Sequence, residues 1–565
     1  MSNEKLIKVM KNFDEEYLFA LLGDLKDALI EWKDSKNILT KEKIIDIILA
    51  VYGLSLFKQE EFRYRYFLST EDKLFLKHVA QLYNYSFNGS SGEQIILAKK
   101  LSKVPFDDNP LFKYVIKDYL GDTEFEFHKN EKELPVESVE RLGYKFFELY
   151  DYQYMIKQQA INDLSNKDKD LYKILIHMPT GTGKTKTTMH IISHYLNFIT
   201  KGKGVVVWIA HSDELLMQAY ETFKNVWSHL SLFDINVYKG WVEFPNTLKD
   251  GILFTSIQAL QKKYGKAIFE EISNKASLIV FDEVHKSGAE ITKKCVDSLM
   301  KKNNEYGKKF IGLTATPGRT TEVSKANALF SEDFDHIIGI DVDKINAISL
   351  SANEARNYRG SKDPIRYFQE QGYLSNIEKQ MLEFEIDPKV LIQLKKELQN
   401  DNENYSDNLV KKISLSKARN DKIIEELVKL NKEQIPTIVF ACSLQHAKLL
   451  SAFLKMLNIE NSLVYGDMAS TDRKRAIDDF KKGKVNIIIN FEILTTGFDS
   501  TNIKCVFITR PTKSVILYSQ MIGRGLRGPK MGGNENCLLI DVQENLYSYN
   551  ENAAFKHFNS YWKRG

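Results

Sequence analysis

The chain has 565 residues, 43% hydrophobic and 27% charged, the balance of a folded protein with room for about three domains of ordinary size. A formal net charge of +4 is small for that length, so bulk electrostatics neither require nor exclude a polyanionic partner, and any basic track must be local. Four cysteines without CxxC spacing argue against structural zinc, a disulfide framework or an iron–sulfur site; no apolar run reaches the ~18 residues of a membrane span, and acids interrupt the opening MSNEKLIKVMKNFDEE, so a cytoplasmic protein with no membrane partner is expected.

Residues 1–148 read as a helical accessory domain. Ile44, Ile45, Ile48, Leu49 and Tyr52 recur at helical spacing, as do Leu74, Leu76, Val79 and Leu82. Ser69, with Asp72 three residues on, is the expected cap of the second helix, and NGSSGE from Asn88 reads as a loop. Glu31-Trp32-Lys33 carries the ExK half of a nuclease signature but lacks the strand and Pro-Asp pair before it, so no nuclease is read there. Near residue 150 the texture changes. YKILIHM, GVVVWIA, GILFTSI, SLIVFDE and KFIGLTA are short β-rich apolar runs alternating with helical stretches, as buried parallel strands covered by helices on both faces are. Residues 341–430 are charged and helical in pattern. The alternation then resumes with TIVFACS, NSLVYG, VNIIINF, IKCVFIT and CLLIDV. The expected class is therefore α/β: two parallel-sheet domains, 149–340 and 431–565, joined by a helical connector.

YKILIHM runs directly into Pro179-Thr180-Gly181-Thr182-Gly183-Lys184-Thr185, followed by a helical pattern. Glycines let a backbone wrap phosphates, and successive N–H groups at a helix N-terminus point at the anion. Lys184 is placed to neutralise the β- and γ-phosphates of ATP, and the Thr185 hydroxyl to ligate Mg²⁺. Met178 stands where the general pattern has glycine; the strand–loop–helix context supplies what the bare pattern lacks. About one hundred residues on, SLIVF ends in Asp282-Glu283. Carboxylates at the C-terminal end of a parallel strand face the ligand crevice, so Asp282 is expected on the metal and Glu283 on the attacking water.

Taken in order, MPTGTGKT, DEVH, LTATP (Thr314-Ala315-Thr316) and QMIGRGLR resemble motifs I, II, III and VI of superfamily 2 helicases. AHSDELLMQ, FTSIQAL, IVFACSLQHA and LTTGFD are similar to the motifs between them. The match covers roughly residues 148–565, and its flavour resembles the DNA translocases of type I and III restriction enzymes and repair helicases. The resemblance implies two RecA-like P-loop domains and an ATPase whose motif II includes His285. It also implies that Gln520, Arg524 and Arg527 complete the ATP site from the second lobe; if helical, the arginines fall three apart on one face, and guanidinium forks suit the charge of a phosphoryl-transfer transition state. Gln153 after Tyr152 resembles an adenine-reading motif, and Gly497 and Asp499 fall near the nucleotide in the family. Nucleic acid crosses both lobes in such proteins, and the matching positions are His211, Thr255, Ser256, Gln258, Ser443, Thr495 and Thr496. These imply a DNA helicase or double-strand translocase, DNA in preference to RNA, in repair, restriction or antiphage defence, with room for a partner nuclease or defence-system subunit. The alternatives are an RNA-dependent ATPase and an ATP-switched nucleic-acid sensor.

Overall fold

The computed structural model describes residues 4–23, 25–31, 39–123, 125, 135–139, 148–166, 171–284, 290–301, 308–315, 334–349, 363–398, 405–494 and 500–544. Trp32, Lys33, His285, Thr316, Thr495, Thr496, Gly497 and Asp499 lie outside these residues.

The first lobe is built on eight strands: β1 (Val136–Val139), β2 (Leu171–His177), β3 (Val205–Ala210), β4 (Ile235–Lys239), β5 (Gly251–Ser256), β6 (Ala276–Phe281), β7 (Lys308–Thr314) and β8 (His336–Ile338). They lie in the order β1-β4-β5-β3-β6-β7-β2-β8, parallel except for β1, which runs antiparallel to β4. The period of two explains why β3 is apolar at every position. Val206, Trp208 and Ala210 enter one core with Met189 and Phe223, while Val205, Val207 and Ile209 enter another with Leu260, Phe269 and Leu299. The helix Asp213–Leu230 shows why its sequence folds as it does. Ser212 caps it by accepting from the Leu215 N–H, Asp213 and Glu214 sit in its first turn, and Leu216, Ala219, Tyr220, Phe223 and Trp227 form its buried stripe.

The second lobe has six parallel strands: β9 (Asn376–Leu382), β10 (Thr437–Phe440), β11 (Ser462–Val464), β12 (Ile487–Asn490), β13 (Cys505–Ile508) and β14 (Asn536–Val542), in the order β11-β12-β10-β13-β14-β9. All ten strands read from apolar runs are present. The expected boundaries shift, however. β1 precedes residue 148 yet belongs to the first sheet, and β9 lies in the supposed helical connector yet forms the edge of the second. An edge strand with one open side keeps charged residues, as NIEKQML does, so it lacks the apolar signature.

The N-terminal segment is helical, with local differences from expectation. Asp72 itself caps Lys73–Gln81, accepting from the Phe75 N–H at 2.9 Å, whereas Ser69 ends the preceding helix Glu60–Ser69. The buried face of Lys73–Gln81 is Phe75, Leu76, Val79 and Ala80; Leu74 is 82% exposed. Part of NGSSGE is a helix start, because Ser90 and Glu93 form a reciprocal capping box for Ser91–Ser102. Although this domain precedes the first lobe in sequence, it docks on the second. The helices Leu25–Glu31 and Lys41–Tyr52 pack on Leu444–Met456 in one continuous apolar core. Arg475 of the second lobe binds the buried Asp122 carboxylate at 2.8 Å, and Lys43 donates to the Lys455 carbonyl at 2.9 Å. Cys295, Cys442, Cys505 and Cys537 are free, buried thiols, and among the described residues no helix is long and apolar enough to cross a membrane.

Candidate active site between the lobes

β2 delivers the phosphate loop. Past His177 the Met178 N–H donates to the Thr314 carbonyl at 3.2 Å, prolonging the β2–β7 ladder by one rung. Gly181 and Gly183 then adopt left-handed φ values of +87° and +79°, a conformation that glycine takes without a Cβ clash. At Gly183 space enforces the same choice, since a Cβ would come 2.5 Å from Gln153 Nε2. The Thr182 hydroxyl donates back to the Pro179 carbonyl at 2.7 Å. Lys184 opens the helix Lys184–His194, with Thr185 half-buried in its first turn.

Gln153 is fully buried beneath this loop, and its amide is engaged by protein: Oε1 accepts from the Tyr150 N–H at 3.1 Å and Nε2 donates to the Thr182 carbonyl at 3.0 Å. The Tyr152 hydroxyl donates to the same carbonyl at 2.8 Å. Through these bonds Gln153 holds the phosphate loop from below.

β6 delivers the acid pair. The Asp282 N–H donates to the Ile209 carbonyl at 2.9 Å, and Asp282 Oδ1 accepts from the Glu283 N–H at 3.0 Å. Glu283 has φ +54°, a left-handed backbone that is costly for a residue with a side chain and persists only where its surroundings hold it. Its Oε1 lies 3.1 Å from Lys184 Nζ, with Asp282 Oδ1 3.8 Å from the same ammonium. Burial alone would depress the lysine pKa; the two carboxylates outweigh it and raise the pKa above the ordinary value. His177, read in the sequence only as the end of a strand, is 2% exposed, with Nε2 3.1 Å from the Ala315 carbonyl. Burial, with the nearby Lys184 charge adding to it, pushes its pKa down to about 3 and keeps the imidazole neutral.

The second lobe reaches this cluster directly. Gln520 Nε2 donates to Glu283 Oε2 at 3.2 Å, so each carboxylate oxygen is held by a different lobe. The helix Val515–Ile522 ends before the arginines, so Arg524 and Arg527 stand on the following loop instead of sharing a helix face. Gly523 lets that loop press on the phosphate loop: a Cβ there would come 2.4 Å from Thr180 Cγ2. Arg524 is close enough to Lys184 for its charge to oppose protonation of the ammonium, and Arg527 Cγ lies 3.8 Å from where a Cβ on Gly181 would sit. Arg473 of the second lobe also binds Glu214 of the first at 2.8 Å.

The expected nucleic-acid positions sit mostly at C-terminal strand ends. Ser256 and Ser443 are helix caps, accepting from the Ala259 and His446 N–H groups at 3.2 and 3.1 Å. Gln258 is exposed and His211 half-buried against Phe281. Thr255 departs from expectation: it is fully buried and its hydroxyl donates to the Ser256 carbonyl at 3.3 Å. A position not singled out from sequence is Arg510, just past β13, paired with Glu492 at 3.5 Å and lying over the Phe491 ring. A lone arginine after an apolar strand carries no motif signal.

A family model described as "Type III restriction enzyme, res subunit" matches residues 146–319, and one described as "Helicase conserved C-terminal domain" matches residues 418–528. Two yeast proteins carrying ATP-dependent helicase names are similar to this chain. IRC3 of Saccharomyces cerevisiae is 25% identical over 404 residues, covering 70% of this chain and 51% of that protein. Mitochondrial irc3 of Schizosaccharomyces pombe is 25% identical over 380 residues, covering 67% and 55%. The chain thus spans about half the length of these curated relatives. Among solved structures, the Hef helicase domain of Pyrococcus furiosus aligns with a TM-score of 0.38 and 17% identity, covering 70% of this chain and 95% of that one. Both matched models fall on the lobes that carry the ordered motifs, and on that ground the chain belongs to superfamily 2 of the helicases and is related to the motor subunits of restriction enzymes.

Proposed function

We propose that the chain is an ATP-driven DNA motor, a helicase or double-strand translocase, that hydrolyses ATP between its two lobes. One observation carries the reading: Glu283 is held through one oxygen by Lys184 and through the other by Gln520, so the base position is complete only when the lobes meet. In this scheme the loop amides and Lys184 grip the β- and γ-phosphates. Glu283 orients the attacking water and takes its proton, with Gln520 fixing the carboxylate. Arg524 and Arg527 face the charge that grows on the transferred phosphoryl group. The donor set fits Mg²⁺, because Thr185 and Asp282 are hard oxygen ligands that leave room for waters and phosphate oxygens; when bound, the ion neutralises those oxygens. Ser256, Gln258 and Ser443, with His211, are the described candidates for sequence-blind contacts to backbone phosphates.

DNA is preferred over RNA because the first-lobe match is to a restriction-enzyme subunit. The same likeness supports a setting in repair, restriction or antiphage defence, with room for a partner nuclease. The test is ATP turnover with no polymer, single-stranded DNA, duplex DNA and RNA. Stimulation by DNA well above that by RNA is expected; stimulation by RNA alone would replace the reading with the RNA-dependent one.

A further inference from the structure

The connector segment Gly372–Ser375 is bonded on one edge to the loop that carries Arg527. The Ser375 N–H donates to the Leu526 carbonyl at 2.9 Å, the Gly528 N–H to Tyr373 at 3.0 Å and the Lys530 N–H to Gly372 at 3.0 Å, with Leu374 and Arg527 paired as an antiparallel bridge. The fully buried Ser375 hydroxyl lies 2.6 Å from both the Arg527 and Asn534 carbonyls; its one hydrogen serves either at a given moment. The Asn534 N–H donates to the Arg527 carbonyl at 2.9 Å. The fit leaves no slack: a Cβ on Gly528 would come 2.4 Å from the Gly372 carbonyl oxygen, and one on Gly533 2.0 Å from that of Arg527.

The other side of the segment faces the first lobe. The Tyr373 ring packs 4.9 Å from Tyr150 and 5.0 Å from Tyr152, whose hydroxyl holds the Thr182 carbonyl of the phosphate loop. Lys530 lies 4.8 Å over the Tyr373 ring, and Leu374 Cδ2 is 3.9 Å from the Cβ position of Gly181. One four-residue stretch therefore touches both the underside of the phosphate loop and the backbone of the arginine loop.

We propose that Gly372–Ser375 is a strap that sets where Arg527 arrives over the phosphate loop, with Ser375 and Tyr373 as positioning residues that touch no reactant. The inference rests on the assignment of Arg527 to the ATP site made above. Fixing the Arg527 carbonyl fixes its Cα, and with it the reach of the guanidinium. A displacement of about 1 Å at such a group costs on the order of a hundredfold in rate.

The experiment measures ATP turnover and the KM for ATP, with saturating single-stranded DNA, for Ser375→Ala, Tyr373→Leu and Tyr373→Phe. Each is made alone and in an Arg527→Ala background. Expected for Ser375→Ala and Tyr373→Leu alone is a loss in kcat of about ten- to a hundredfold with KM little changed. Tyr373→Phe, which keeps the ring, retains turnover. In the Arg527→Ala background neither strap variant lowers kcat further, because a residue acting through Arg527 has nothing left to position. A kcat unaffected by Ser375→Ala and Tyr373→Leu, or a further independent loss in that background, overturns the strap. If Arg527→Ala alone turns over normally, the assignment of Arg527 fails instead.

Discussion

At the scale of single residues, the site stores its effort at Glu283. A non-glycine residue in left-handed backbone is strained, and here the strain aims the carboxylate between Lys184 of one lobe and Gln520 of the other. With Glu283 as the proposed base, Glu283→Gln keeps the shape and removes the proton acceptor, so turnover falls by about 10²–10⁴-fold while bound ATP persists, as equilibrium binding against rapid-quench hydrolysis checks. His177 makes a prediction about pH. An unfolded imidazole protonates near pH 6.5, whereas folded His177 holds off until about 3. Between these values the unfolded chain binds more protons, so stability falls as pH drops through the window, by about 1.4 kcal/mol per pH unit for this group. In His177→Phe the loss on going from about pH 6.5 to about pH 5 is smaller, measured by urea unfolding at both; an identical loss in variant and parent would mean the buried imidazole is not the source. Lys184, Asp282 and Glu283 were legible because motif spacing ties them to strand ends. His177 and the loop-holding use of Gln153 were not, because both depend on partners distant in sequence, Ala315 and Thr182.

At the scale of elements, close approach decides what the lobe interface tolerates. The loop after Val515–Ile522 reaches Thr180 only because residue 523 has no side chain. Gly523→Ala therefore holds the lobes apart: the phosphate loop still takes ATP, but turnover falls toward the polymer-free rate. Normal DNA-stimulated turnover in this variant would mean that the contact is dispensable. The same physics limits what sequence can reveal. Central strands such as β3 and β6 announce themselves, since burial on both faces demands unbroken apolar runs. β9 is an edge and keeps its charges, so it reads as helix or loop, and the connector's strap contains only ordinary packing residues. A helical reading of QMIGRGLR overshoots because Gly523 ends the helix, a boundary set by the tertiary approach to Thr180 as much as by local propensity.

At the scale of the whole molecule, the N-terminal helices and the second lobe share one apolar core and the Arg475–Asp122 ion pair, and a second apolar core runs from the first lobe into the second. No periodicity in residues 1–148 could have shown this docking, which buries faces that any helical domain must bury somewhere. Arg473 and Glu214 add an ion pair between the two lobes. In the proposed cycle, nucleotide and DNA together close the lobes to complete the site. Energy transfer between dyes on Asn225→Cys in the first lobe and Lys474→Cys in the second, two exposed positions in a chain whose native thiols are buried, reads that closure. A non-hydrolysable ATP analogue with DNA should shift the population to the short-distance state, with either ligand alone doing less. Transfer that ignores both ligands, in protein that hydrolyses ATP at the full DNA-stimulated rate, would rule out ligand-driven closure.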